Sequence, residues 1–475
     1  MTSEPPVGAP APLGRHAAPP AALAPDAVTA LADALTGRVV TPHDDDWAAA
    51  RTPWNVIVDQ QPLAVVLAAD ADDVVATVRF AARHGLTVSA QPSGHGASEA
   101  STGTVLLRTR ALTDIWVDPA AKVARVGAGV TWGALQDALA GTGLTGLAGS
   151  NPDVTVVGYC LGGGLSWFSR AFGRGAGAVR AVELVDASGA HRWVTDATEP
   201  ELMWALRGGG GDLAVVTAVE IDLFDAPSIY GGLLAFPGDA ARPVLRAFAE
   251  ATRAAPEELT LWAMLMHFPD VDLLPPELRG QSFTLVGATF LGAADDAERH
   301  LAPIRAAAPV LRDALRVVGP EGVGALAEEP VDPTPAAMAA TYLHTLDDAA
   351  IDAVLAQAGV GTGTPLASVQ LRHLGGALGR STRPAVAGAR TEPYLLSGLA
   401  LVMAPEMVPP VWAALDRLMG GVAPWSAEAA PLTFLDRDEP LSRAYVGPDL
   451  DRLRALKAEL DPAGVIRGNR PIPRV

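Results

Sequence analysis

Three glycine-rich stretches in the front half of the chain limit what it can fold into: Ser93-Gly94-His95-Gly96, Gly158-Tyr159-Cys160-Leu161-Gly162-Gly163-Gly164 and Gly208-Gly209-Gly210-Gly211. Glycine has no Cβ and reaches positive φ at little cost, so backbone amides there can close on a bound phosphate. None of the stretches ends in the Lys-Ser/Thr of a P-loop. None forms a dinucleotide fingerprint between an early strand and helix with an acid at the right distance beyond it, so a nicotinamide Rossmann domain is not expected. Singly, each reads as a turn; the combination is what informs.

Short elements lead up to these turns. Residues 26–35 space Val28, Leu31 and Leu35 as a short amphipathic helix, and a strand over 63–67 follows Pro62. A helix over 71–84 begins behind Asp70 as a cap, aligns Val74, Val75, Val78, Ala81 and Ala82, and stops at Gly85. A strand over 86–90 then delivers the chain to Gln91-Pro92-Ser93-Gly94-His95-Gly96. Further strands are expected at 104–107, 115–117, 123–126, 182–185 and 215–221, with a helix over 133–139. Beyond about Asp225 the texture changes to longer helices, 240–254 and 295–308, the latter bent at Pro303. They alternate with strands at 259–267, 283–291, 367–373 and 395–403, and a last helix, 450–460, ends at Asp461-Pro462. The fold class is α+β, in two domains.

Composition supports that division, since 475 residues exceed what one core usually serves. A formal charge of −18 would be repelled by nucleic acid and by an anionic membrane surface, so neither is expected as a partner. No run approaches the roughly 20 apolar residues of a spanning helix. The single cysteine, Cys160, rules out an intrachain disulfide and a thiolate zinc site, and reads as a buried small residue; no metal is expected. Residues 1–25, rich in Pro, Ala and Gly, read as a disordered tail and not as a signal, so a soluble, cytoplasmic protein is expected, monomer or homodimer.

The stretch Leu86-Thr87-Val88-Ser89-Ala90-Gln91-Pro92-Ser93-Gly94-His95, the segment Pro152-Asp153-Val154-Thr155-Val156-Val157-Gly158-Tyr159, and above all Trp204-Ala205-Leu206-Arg207-Gly208-Gly209-Gly210-Gly211-Asp212-Leu213-Ala214-Val215-Val216-Thr217 resemble the berberine bridge enzyme and 6-hydroxynicotine oxidase group, of the vanillyl-alcohol oxidase type of FAD proteins. The resemblance covers about residues 47–225 and 430–475, and the middle more weakly. It departs from the family pattern at Gln91, Ser93, Asp212, Leu213 and Ala214, and at Pro431-Leu432-Thr433-Phe434, where Tyr-x-Asn-Phe is usual.

The resemblance implies an FAD-binding domain over 26–225, a substrate-binding domain over 226–429 with an antiparallel sheet backed by helices, and a segment 430–475 returning to the first. It implies that His95 is bonded to the flavin C8 methyl group, within a turn made by Gln91, Pro92, Ser93, Gly94 and Gly96. Asn151 stands where doubly tethered relatives carry a cysteine, so a single tether is implied. Cofactor contacts fall on Asn151, Pro152, Asp153, Val154, Val157, Gly158, Tyr159, Gly162, Gly163 and Gly164, near the backbone of Val215 and Val216, and at Asn469. Val154 is where a small side chain leaves oxygen access, and Tyr159 would stabilise charge on the reduced flavin.

Relatives often carry a glutamate on the strand before a Leu-Gly-Gly-Ala turn. Here that strand, Ala367-Ser368-Val369-Gln370-Leu371-Arg372-His373, has no carboxylate. Alternation sets Gln370 and Arg372 on one face and Leu371 and His373 on the other; we take Gln370 and Arg372 to face the flavin, where Arg372 would suit an acidic, enolic or phenolic substrate. A surface salt bridge is the competing role for Arg372, and Tyr342, His344 and His267 are further pocket candidates. The expected function is an FAD-dependent oxidase that moves a hydride from a small or medium organic substrate to the flavin, with O2 reduced to H2O2, in secondary metabolism. Oxygenation through a flavin-oxygen adduct, or a catalytically weak flavin- or ligand-binding protein, are the alternatives.

Overall fold

The computed structural model describes residues 23–272, 274–380, 383–436 and 439–474, so the tail expected over 1–25 lies almost wholly outside the described residues. The chain opens with α1 (Pro25–Ala32), β1 (Arg38–Val40), α2 (Trp47–Arg51), β2 (Ala64–Leu67), α3 (Ala71–His84), β3 (Val88–Ala90) and β4 (Val105–Arg108). The Asp70 carboxylate caps α3 by accepting from the Asp73 amide at 3.0 Å. The apolar stripe of α3 packs Val74, Val78 and Ala81 on a four-stranded sheet of order β1-β2-β4-β3, in which β2, β4 and β3 run parallel. This crossover puts the chain leaving β3 directly into the His95 turn.

Next come β5 (Ile115–Asp118), β6 (Val123–Gly127), α4 (Trp132–Ala138), β7 (Leu144–Thr145), α5 (Val156–Leu161), α6 (Ser169–Phe172), β8 (Val179–Val185), β9 (His191–Thr195), α7 (Pro200–Leu206), β10 (Val215–Asp222) and β11 (Phe224–Asp225). They build a five-stranded antiparallel sheet of order β5-β6-β10-β8-β9. The glycine stretch at 158–164 is helix in its first half, so Gly158 lies inside α5 and the turn begins at Gly162.

The rest of the chain comprises β12 (Ile229–Pro237), α8 (Ala241–Ala254), β13 (Leu259–His267), β14 (Ser282–Leu291), α9 (Ala294–Arg305), β15 (Arg312–Asp313), β16 (Arg316–Val318), β17 (Ala336–Leu343), α10 (Asp348–Ala358), β18 (Ser368–His373), β19 (Tyr394–Leu401), α11 (Val408–Gly421) and α12 (Asp449–Leu460). An eight-stranded antiparallel sheet has the order β15-β12-β14-β13-β18-β19-β17, with β16 also on β12. Period-two alternation gives it two faces. Leu261, Val286, Leu371 and Leu396 share a core with α8, α9, α10 and α11, while Trp262 and Leu285 pack with the front domain's core.

Strands β12 and β17 and helices α10 and α11 were not expected. Gly231-Gly232 interrupts β12, and the alanines of 336–340 favour helix locally, so only sheet pairing reveals these strands. Helix α9 ends at Arg305, so Pro303 sits in its last turn. Helix α12 returns to the front-domain core through Leu450 and Leu453. Among the described residues no helix is long and apolar enough to cross a membrane.

Candidate active site

The His95 turn is held from three sides. Arg108, buried at the end of β4, donates to the Gln91 side-chain oxygen at 2.7 Å, to the Thr52 carbonyl at 2.9 Å and to the Ala50 carbonyl at 3.0 Å. Burial pushes its guanidinium down to about 10, still charged at neutral pH. The Trp54 amide donates to the Ser93 carbonyl at 2.9 Å, and the Trp54 indole lies on the His95 ring. Gly94 has φ +89, and a Cβ there would meet Pro53 Cβ at 2.7 Å, so glycine is required. Pro92 and Ser93 are half-buried and Gly96 is exposed.

The third side is the C-terminal tail. The Val88 amide donates to Val465 and the Arg467 amide to Val88, at 2.7 and 2.9 Å, which lays the tail along β3. Asn469 thereby reaches the turn, its side-chain oxygen accepting from Gln91 at 3.3 Å and its carbonyl from Ser98. A buried clamp holds this tail. Asp212 accepts from the Gly468 and Ile472 amides at 2.7 and 3.0 Å, and Lys457 donates to Asp461 at 2.8 Å and to the Ile466 and Asp212 carbonyls. Burial raises the Asp212 carboxyl, and the Lys457 ammonium works against that shift. The departure from asparagine at Asp212 was the one sequence signal for this clamp.

His95 Nε2 is buried and has no hydrogen-bond partner. Burial lowers the imidazole to about 4, so the ring is neutral at pH 7. Tyr159 on α5 has a buried hydroxyl with Ser166 as its hydrogen-bonding neighbour. Its ring stands edge-on to Trp132 at 5.3 Å and is enclosed by glycines, with the Cβ positions of Gly149 and Gly175 at 3.1 and 2.7 Å from it and that of Gly164 closer still. Burial pushes the phenol well above its usual range, Cys160 adds to this, and Arg372 and Arg174 oppose it. Buried Cys160 is itself pushed up to about 12.

Asn151 donates to the Pro330 carbonyl at 3.0 Å and accepts from the Asp153 amide at 2.9 Å, so the loop ahead of α5 is fixed to residue 330. Pro152 packs near Gly133 and Gly324, Asp153 is exposed and Val154 half-buried. Val157 points into the core, as do Val215 and Val216, leaving only their backbones for a ligand. Gly162 and Gly163 lie beside Thr433 and Ala387.

On β18 the structure places Gln370 and Arg372 on the face toward the front domain, whereas Leu371 and His373 face the helices. Arg372 donates to the Gln370 side-chain oxygen and lies over the rings of Trp167 and Phe434 at 5.3 and 5.4 Å. Burial lowers its pKa, while Glu329 and Tyr159 raise it. Glu329 had no sequence signal. Tyr342 is on the same face, its hydroxyl accepting from Arg174 at 3.1 Å. His267 is not in the pocket: it bridges Ser282 and the Ala358 carbonyl, each at 2.9 Å, on the helix side. His344 is exposed.

A flavin ring fits the buried His95 Nε2, which has no hydrogen-bond partner, on a glycine turn that a Cβ would block. The FAD binding domain family matches residues 62–195. The (R)-6-hydroxynicotine oxidase of Paenarthrobacter nicotinovorans is 29% identical over 300 residues, 62% of this chain and 64% of that protein. The FAD-dependent monooxygenase FUP4 of Fusarium proliferatum (strain ET1) is 37% identical over 204 residues, 42% of this chain and 39% of the relative. The chain thus spans less than two thirds of the length of these curated relatives. The structure of Physcomitrella patens BBE-like 1 superposes with a TM-score of 0.81 at 21% identity, over 94% of this chain and 99% of that one. The chain therefore carries an FAD-binding domain and has the fold of the berberine bridge enzyme-like FAD-linked oxidoreductases.

Proposed function

We propose that the protein is an FAD-dependent oxidase whose cofactor is attached through His95 and whose substrate lies between the flavin and the β18 face bearing Gln370 and Arg372. The observation that carries this reading is the buried His95 Nε2, without a hydrogen-bond partner on a glycine turn, in a chain with an FAD-binding domain. When bound, FAD supplies a two-electron acceptor for a hydride and a path for those electrons to O2.

The chain's own residues do the rest. The neutral His95 imidazole keeps a nucleophilic nitrogen for the bond to the flavin methyl group. Trp54 and the Arg108–Gln91 pair hold the turn that carries it. Tyr159 stays protonated and donates a hydrogen bond toward negative charge, and Arg372 gives that side of the site a fixed positive charge in surroundings that strengthen it. Trp167 and Phe434, flanking Arg372, exclude water.

Denaturing precipitation of the purified protein tests the attachment: a yellow pellet is expected, and a colourless one from His95→Ala. Oxygen uptake with a panel of alcohols, amines and phenols tests the oxidase activity, and stoichiometric H2O2 is the expected product. The 37% identity to a protein named as a monooxygenase favours oxygenation as the second reading, for which oxygen in the product replaces peroxide.

A further inference from the structure

A small cavity lies where distant parts of the chain meet. Arg174 follows α6, Tyr342 stands on β17, Arg390 precedes β19, and Leu432 and Tyr445 belong to the stretch ahead of α12; all line it, beside Gly162. It has room for one water-sized sphere, about 10 Å3. None of His95, Gln370 and Arg372 lines it, so it belongs neither to the His95 turn nor to the β18 face.

The polar lining is rich in donors. Arg174 donates through Nε to the Gly388 carbonyl at 3.3 Å and through Nη2 to the Tyr342 hydroxyl at 3.1 Å. Arg390 donates to the Ala444 carbonyl at 3.2 Å, and its guanidinium carbon lies 5.8 Å from the centre of the Tyr342 ring. One tyrosine, only 1% exposed, thus has one guanidinium at its hydroxyl and another near its ring. Each guanidinium has more N–H groups than these bonds use. The Tyr342 oxygen already accepts, and its proton has no acceptor among the described residues. The lining carbonyls of Gly208 and Ala444 are taken, by the Tyr445 hydroxyl at 2.9 Å and by Arg390. Among the described residues no carboxylate lines the cavity and neither arginine forms an ion pair.

Two half-buried cations beside one phenol repel each other unless a negative charge lies between them. A water molecule would have to place its protons on carbonyls that already accept, whereas a halide takes donors only. Sulfate, phosphate and organic carboxylates need room for several atoms, more than this volume gives. We propose that the cavity binds one monatomic anion, chloride in ordinary solution, held by Arg174, Arg390 and the Tyr342 hydroxyl. The ion offsets the two like charges and ties the loop after α6, strand β17 and the segment ahead of β19 to one point, so chloride stabilises the folded chain. This site goes beyond the oxidase reading and does not depend on it.

The test uses the purified, FAD-loaded chain. Chloride NMR line width reports exchange of the ion on and off the protein. Thermal unfolding at constant ionic strength, with sodium gluconate replaced stepwise by sodium chloride, reports its effect on stability. The wild type is expected to broaden the chloride line saturably, to release the ion to bromide but not to gluconate, and to unfold at a temperature that rises with chloride to a plateau. Arg390→Gln is expected to bind chloride at least about tenfold more weakly. Tyr342→Phe is expected to weaken binding by a smaller factor. Arg380→Gln removes an exposed arginine paired with Glu257 and is expected to match the wild type. Unselective chloride binding is disfavoured by the chain's formal charge of −18, so the competition by bromide in the wild type tests the site without any variant. No saturable broadening, equal displacement by gluconate and bromide, equal stabilisation by gluconate and chloride, or wild-type affinity in a folded Arg390→Gln would overturn the proposal.

Discussion

The Trp54 indole covers the His95 imidazole with ring centroids 4.2 Å apart, and donates its own N–H to the Val331 carbonyl at 2.9 Å. One side chain thus packs the proposed attachment residue and ties the front domain to the loop that carries Glu329. Trp54→Ala is expected to lower stability by about 1–3 kcal/mol, less than the loss at a fully buried tryptophan. It is also expected to reduce the flavin that survives denaturing precipitation although His95 is intact. Denaturant unfolding and the pellet's absorbance measure the two effects.

Lys457→Met leaves the Asp212 and Asp461 carboxylates buried without their cation. Both side chains and that of Lys457 are at most 6% exposed, so a loss of about 3–5 kcal/mol is expected in urea unfolding. The triple variant with Asp212→Asn and Asp461→Asn is expected to regain part of it. Because the clamp delivers Asn469 to the His95 turn, limited proteolysis of Lys457→Met should cut first in the C-terminal tail.

Acid sensitivity follows from His373, which burial and the nearby Arg170 hold down at about 3. A histidine with a depressed folded pKa stays neutral in the native state while the unfolded chain takes up a proton near pH 6.5. Its contribution is therefore fully present above about pH 6.5 and is lost progressively as pH falls toward 3, amounting to a few kcal/mol. His373→Leu is expected to flatten stability against pH across that window. A slope equal to that of the wild type in urea titrations would contradict the assignment.

Gly164→Ala combines a left-handed backbone, φ +65, with a Cβ pressed into the Tyr159 ring. Gly103, φ +73 with open space around its Cβ position, isolates the backbone component. Gly103→Ala is expected to cost about 1 kcal/mol and Gly164→Ala measurably more, accompanied by a change in near-ultraviolet circular dichroism from the displaced tyrosine.

Much of the architecture was legible where local rules act alone. Asp70 and Gly85 bracket α3 where a cap and a stop residue should stand, and alternation along β18 parts Gln370 and Arg372 from Leu371 and His373. The alanine-rich β17 was not legible, because its strand state comes from pairing with β19 over eight registered positions. The site divided in the same way. The Gly94-His95 turn is legible as a local motif, and Arg108, Trp54 and the C-terminal tail hold it in place. The ties from Asn151 to the Pro330 carbonyl and from Trp54 to the Val331 carbonyl had no local signature, since each joins groups far apart in the chain.

The sequence by itself determined the α+β class, the elements with strong periodicity, the FAD-type glycine turns and the choice of Gln370 with Arg372 as one strand face. These depend on backbone preferences and on spacings of a few residues. Tertiary structure alone decided which way that face looks and that Asp212, Lys457 and Asp461 form a buried clamp. Such arrangements come from groups distant in the chain sharing a desolvated space, where charge and burial are set by neighbours that no local pattern names.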